Sequence, residues 1–192
     1  MKYIRMAKRF MWWLINRFLF AELGLRSYFR KGILITKSCI YSGEGVRVGK
    51  NARIEGVFKY NERSFKPKIV FGNRVSIEQN IHLTCASKIE IGNNTAIAAN
   101  VSITDIHHPY TNIDIPIERQ DIETKEVLIG EDCKIYNNVV ILPGVKIGKH
   151  VTIGANSVVN KDIPDYCVIA GIPAKIIKQY NFETKIWEKF EK

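Results

Sequence analysis

IGEDCKIYNNVVILPGVKIGKHVTIGANSVV, residues 129–159, is the stretch that decides the fold. Ile129, Ile135, Ile141, Ile147, Ile153 and Val159 fall at strict intervals of six, one aliphatic residue opening each hexad. An amphipathic helix needs apolar residues three and four apart, and a half-buried strand needs them two apart, so neither explains the beat as a continuous element. A fixed repeat of this kind is the mark of a solenoid.

Upstream the same beat continues as Phe71, Ile77 and Leu83, then two extra residues, then Ile91, Ile97 and Ile103. A weaker pair, Val48 and Ile54, precedes it. Gly72, Gly92, Gly130, Gly148 and Gly154 stand one place after the aliphatic residue, and a small residue such as Ala52, Thr95, Val101, Cys133, Val139 or Ser157 stands four places after it. Three hexads closing one triangular coil account for all of this. The aliphatic residue fills the axis of the prism, the small residue fits beside it, and the corners take Gly, Asn or Asp, which tolerate left-handed backbone angles. The architecture predicted is an all-β solenoid, a parallel β-helix. On one face the hexads opening at Ile77, Ile97, Ile135 and Ile153 each carry an asparagine in fourth place: Asn80, Asn100, Asn138 and Asn156. That column supports the register, and its simplest role is to satisfy a turn.

With 192 residues, 46% of them hydrophobic, the chain is long enough for one solenoid domain with terminal appendages. The predicted division is a basic amphipathic helical segment at 1–31, the coil at 32–180 with a loop at 105–127, and a short C-terminal helix at 181–192. Cys39, Cys85, Cys133 and Cys167 lie far apart with no CxxC pair, and Cys133 takes a small inward place where a thiol packs like a small hydrophobe. A reduced, cytoplasmic setting is expected.

The net charge is +10, and residues 1–31 carry +7 of it, eight basic side chains against Glu22 alone. Interleaved with them are Phe10, Trp12, Trp13, Phe18 and Phe20. Two readings of this segment stand side by side: a helix packed on the coil end over its open strand edges, and a contact with an anionic membrane surface at the inner face. It is not expected to span, because Asn16 and Arg17 interrupt an apolar run already short of the roughly 18 residues a crossing needs. Phe20-Ala21-Glu22-Leu23 is a poor signal-cleavage site. No base-reading or stacking motif accompanies the charge, so no nucleic-acid partner is expected.

Two segments interrupt the beat, residues 58–69 and the longer, polar 105–127, and long loops on a rigid solenoid commonly carry function. His82, His107 and His108 lie at or near hexad ends, while His150 sits at a later corner. Histidine is the side chain best suited to take a proton near neutral pH. No Ser-His-Asp set, phosphate loop or spaced Cys/His metal set competes with it, and no metal requirement is expected.

The run from Ile91-Gly92 to Ile103-Thr104-Asp105, the following His-His-Pro-Tyr, and the closing Ile153-Gly154 to Pro164 with Ala170-Gly171-Ile172-Pro173-Ala174-Lys175 resemble the hexapeptide-repeat acyltransferases. Within that family they are most similar to the acetyltransferases of bacterial surface-polysaccharide clusters. The resemblance covers roughly residues 30–190 and implies a left-handed coil, a homotrimer, and transfer of acetyl from acetyl-CoA to a saccharide hydroxyl. It places the catalytic base on His108. It further implies acceptor contacts at Asn80, Asp105 and His107, and a coenzyme groove passing Asn137, Ala155, Asn160 and Lys161, with Lys175 and Lys178 toward the nucleotide phosphates. The chain departs from the family at Lys134-Ile135-Tyr136, where relatives read Trp-Ile-Gly, and at Ile106, where many have histidine.

Three other activities on the same coil remain as alternatives: a sugar-nucleotide N-acetyltransferase, a γ-class carbonic anhydrase-like metal enzyme, and an inactive scaffold. His82 with His107 and His108 does not reproduce the anhydrase histidine spacing.

Overall fold

The structure is a computed structural model that describes residues 2–190, with side chains described from Met6 onward. Short strands stack into three parallel sheets, the three faces of a prism. Face A runs from Glu22–Leu23 through Lys68–Phe71 and Lys88–Ile91 to Lys146–Ile147. Face B runs from Tyr28–Phe29 through Ser76–Ile77 to Cys167–Gly171, and face C from Leu34–Ile35 through His82–Cys85 and Ser102–Thr104 to Val158–Val159. Hexad openers stack on hexad openers: Ile77 pairs with Ile97, Ile97 with Ile135, and Ile135 with Ile153. These side chains, with the small residues four places on, form one continuous buried column along the axis. Each fully buried isoleucine contributes about 1.5–3 kcal/mol by leaving water.

The fourth place of a hexad is where the backbone turns left-handed. Asn80, Asn100, Asn138 and Asn156 have φ of 60°, 61°, 61° and 60° at the corner between faces B and C. There they form an amide ladder, with Asn80 Nδ2 donating to Asn100 Oδ1 at 2.9 Å, Asn100 to Asn138 at 3.0 Å, and Asn138 to Asn156 at 2.9 Å. Asparagine suits the place twice over, since it tolerates the αL backbone and carries both a donor and an acceptor. The polar inward residues are also satisfied: Thr95 Oγ1 donates to the Gly130 carbonyl at 2.8 Å, and Ser157 Oγ to that of Gly154 at 2.7 Å.

Both ends differ from the sequence reading. The N-terminal helix spans Lys2–Asn16 and the coil begins by Glu22–Leu23, so the boundary lies well before residue 31. The beat in fact runs through Leu23, Phe29 and Ile35, each paired to the next coil, and after one extra residue resumes at Ser42, which stands in an opener's place. Charged neighbours and that buried serine hid it. The helix closes the coil end: Trp13 Nε1 donates to the carbonyls of Leu23 and Gly24 at 3.2 and 3.0 Å, and Trp12 stacks on Phe29 with centroids 6.2 Å apart. The packing reading of this segment therefore holds for the Trp12 and Trp13 side. Among the described residues no helix is long and apolar enough to cross a membrane.

At the other end the C-terminal helix expected over 181–192 is absent among the described residues. Ala174–Asn181 and Ile186–Lys189 are antiparallel strands that extend face B. A helix this short is marginal alone, whereas Cys167–Gly171 offers an open edge to pair with. Asn181 sets the turn by accepting the amides of Glu183 at 2.9 Å and Thr184 at 3.2 Å, and Lys185 takes a φ of 58°. Trp187 packs against Tyr180 and stacks on His150, which makes that histidine a structural one.

Candidate active site

All three interruptions of the beat leave the prism at one corner, between faces C and A. The segment after Arg53–Gly56, the two extra residues after His82–Cys85, and the long excursion after Ser102–Thr104 follow successive strands of face C. The excursion springs from a closed neck, where the Lys125 amide donates to the Asp105 carbonyl at 2.8 Å. Above it Ile106–His107 pairs antiparallel with Glu123–Thr124, so the loop base is a two-stranded ribbon that aims the residues following it.

Asp105 is the foundation of that ribbon. It has no exposed surface, and its carboxylate accepts the amides of Ala86 and Ser87, each at 2.8 Å, and the Cys85 thiol at 3.3 Å. Enclosed by the corner of the preceding coil, the carboxylate positions the loop and offers no open surface for the expected contact with the acceptor. Burial, together with the negative charge and hydrogen bond of Asp105, pushes the Cys85 thiol far above its usual range.

His108 follows the ribbon and is exposed on the outside of the prism. It stands edge-on to Tyr60, with ring centroids 5.4 Å apart. Tyr60 comes from the earlier insertion and ties the two loops together: its hydroxyl donates to the Glu118 carbonyl at 2.8 Å, while Asn61 Nδ2 reaches the carbonyls of Arg119 and Gln120 at 3.3 and 3.4 Å. Desolvation, and after it the Glu118 side chain, hold the Tyr60 hydroxyl above its usual pKa. His107 is half-buried and turns toward Tyr110, centroids 6.0 Å apart.

Tyr60 is the residue that sequence reading missed. The signal was available in the register, because the hexads at Ile54 and Ile103 fall on the same face and their insertions must leave the same corner. Asn80 is the opposite case. Its amide starts the asparagine ladder at the corner between faces B and C, across face C from the loops, so within one chain it does not stand beside His108.

The predicted coenzyme residues fall in two groups at the edges of face C. Asn137 and Ala155 are stacked at the corner between faces B and C, where the Asn156 amide donates to the Asn137 carbonyl at 2.9 Å. Lys175 and Lys178 lie on the added strand beside this corner, opposite Ala170 and Val168. Asn160 and Lys161 follow the last strand of face C at the other edge. All six are exposed, and small residues at Gly154 and Ala155 leave the ridge low. Exposed lysines around a low ridge fit a long ligand that ends in phosphates. Beside Asn137 the Lys134 ammonium lies over the Tyr136 ring, 5.5 Å from its centroid.

A closed triangular coil with a histidine loop at one corner and a lysine-flanked ridge at the other defines a class of enzyme. The chain belongs to the hexapeptide-repeat acyltransferase family, and its coil has the left hand of that family. The family described as bacterial transferase hexapeptide (six repeats) matches residues 126–161. The chain is 36% identical over 194 residues to the putative lipopolysaccharide biosynthesis O-acetyl transferase WbbJ of Escherichia coli (strain K12), covering 97% of this chain and 98% of that protein. Among solved structures it is similar to a maltose O-acetyltransferase from Clostridium difficile 630, at 29% identity and a TM-score of 0.52, covering 86% of this chain and 72% of that one. It shares its fold with a galactoside acetyltransferase in complex with coenzyme A, at 24% identity and a TM-score of 0.60, covering 93% and 76%.

Proposed function

We propose that this acyltransferase is a homotrimeric, acetyl-CoA-dependent O-acetyltransferase that modifies a sugar hydroxyl during the building of bacterial surface polysaccharide, on the cytoplasmic side of the membrane. The observation that carries the reading is the exposed His108, held by Tyr60 at the mouth of a ribbon that Asp105 anchors. The full-length likeness to a protein named for lipopolysaccharide O-acetylation supports the acceptor class.

The chemistry needs a base because a sugar hydroxyl is almost never ionised at neutral pH. His108 accepts the proton as the hydroxyl oxygen bonds to the thioester carbon. The carbon–sulfur bond then breaks, the departing coenzyme thiolate regains the proton, and the products are an acetyl ester and the free thiol. A backbone amide at the loop mouth would stabilise the oxyanion formed on the way. Asn137, Ala155, Asn160, Lys161, Lys175 and Lys178 would line the coenzyme groove, completed by a neighbouring protomer. Tyr136 stands exposed where the resemblance implies a glycine, and so bears on which acyl group fits.

The experiment is a panel of saccharides and lipid-linked glycans offered with acetyl-CoA, followed by mass analysis of the product before and after mild alkali. An acetyl group on sugar that alkali removes supports O-transfer. An alkali-stable acetyl amide would assign the chain to amino-sugar acceptors instead.

A further inference from the structure

The N-terminal helix turns its most apolar face away from the coil. It packs through Trp12, Trp13 and the buried Asn16, whose Oδ1 accepts from Lys37 Nζ at 2.8 Å. On the other side Phe10, Met11, Leu14 and Ile15, continued by Phe18 and Leu19, are 41–79% exposed. Their spacing of one, three and one is that of a single helical stripe. Solvent-facing stripes of this kind mark interaction surfaces, because a contiguous apolar patch is unfavourable in water.

Beside the stripe lies a hollow of about 500 Å³ in which Arg9, Arg30, Arg47 and Lys50 surround Tyr28 and outnumber its one acidic residue, Glu78. Lys8 and Lys31 extend it in an adjoining cleft. Arg9 joins the two surfaces, since it also lines a mainly apolar hollow with Met6, Phe10 and Trp13. No acidic residue occurs in the sequence before Glu22.

We propose that this end of the protein docks on an anionic lipid bilayer, the apolar stripe entering the headgroup boundary and the basic hollow facing the lipid phosphates. The charge chooses the occupant. A second copy of this chain would bring the same positive hollow against its like, whereas an anionic bilayer offers an apolar interior and a negative surface together. The docking does not depend on acetyl transfer, so its test reads binding alone.

The test is flotation of the full chain with vesicles of phosphatidylcholine alone or of phosphatidylcholine containing phosphatidylglycerol. Binding to the anionic vesicles should be at least about tenfold stronger and should fall as salt rises. Leu14→Glu with Phe18→Glu should abolish it, and Arg30→Glu with Lys50→Glu should reduce it to the level seen with neutral vesicles. Circular dichroism and gel filtration check that each variant keeps its fold. Absence of wild-type binding to anionic vesicles overturns the proposal, as does binding undiminished in the first variant. Concentration-dependent self-association without vesicles, lost in the first variant, would assign the stripe to a second copy and also overturn it.

Discussion

The rings of Tyr60 and His108 meet edge to face across two separate insertions, 5.4 Å between centroids. The contact fixes the imidazole from the side, while the Tyr60 hydroxyl fixes the loop beyond it through Glu118. Tyr60→Phe should keep the ring contact and lose the tie, lowering kcat about threefold, whereas Tyr60→Ala should lower it about tenfold or more, in line with the loss of positioning around a catalytic base. Steady-state kinetics on both variants check this. Equal, undiminished rates would remove Tyr60 from the site.

Asp105 anchors that loop from inside the prism. Asp105→Ala leaves the amides of Ala86 and Ser87 without their acceptor, and should cost about 2–4 kcal/mol of stability. Urea unfolding reads the loss directly. A raised acceptor KM with an unchanged urea midpoint would return Asp105 to the substrate.

The four cysteines are buried, and burial pushes the Cys39 thiol up to about 11 and the others above their usual range. In the native state they should resist iodoacetamide at pH 8 and react only in denaturant, because the thiolate is the nucleophile. The folded thiols keep protons that unfolded thiols lose above about pH 8.5. Their contribution is therefore full below that pH, and stability declines as pH rises, for Cys39 until about pH 11, where its folded thiol titrates too. Unfolding midpoints at rising pH, with Cys39→Ala flattening the decline, check the sign. Rapid native labelling would contradict the burial.

Much of this was legible in the chain. The six-residue beat gave the faces, the column at Asn80, Asn100, Asn138 and Asn156 gave a corner, and the interruptions gave the loops. What escaped depends on contacts across the coil. Nothing local tells that Asp105 turns inward to the corner at Ala86 and Ser87, or that Tyr60 reaches His108 from dozens of residues away. The C-terminal segment escaped for a related reason: residues that read as a short helix take strand form because an edge is open beside them, and tertiary pairing overrides local propensity. At the start, Ser42 in an aliphatic place concealed the first coils although it packs in the same column.

His108 carries the central claim, and replacing it with alanine tests that claim most directly, with acetyl-CoA turnover and oligomeric state measured on the same sample. The account predicts a fall in kcat of about 100-fold or more, with the assembly and the unfolding midpoint unchanged, since the ring is exposed and general-base catalysis is of that size. Turnover retained in a folded His108→Ala protein would contradict it.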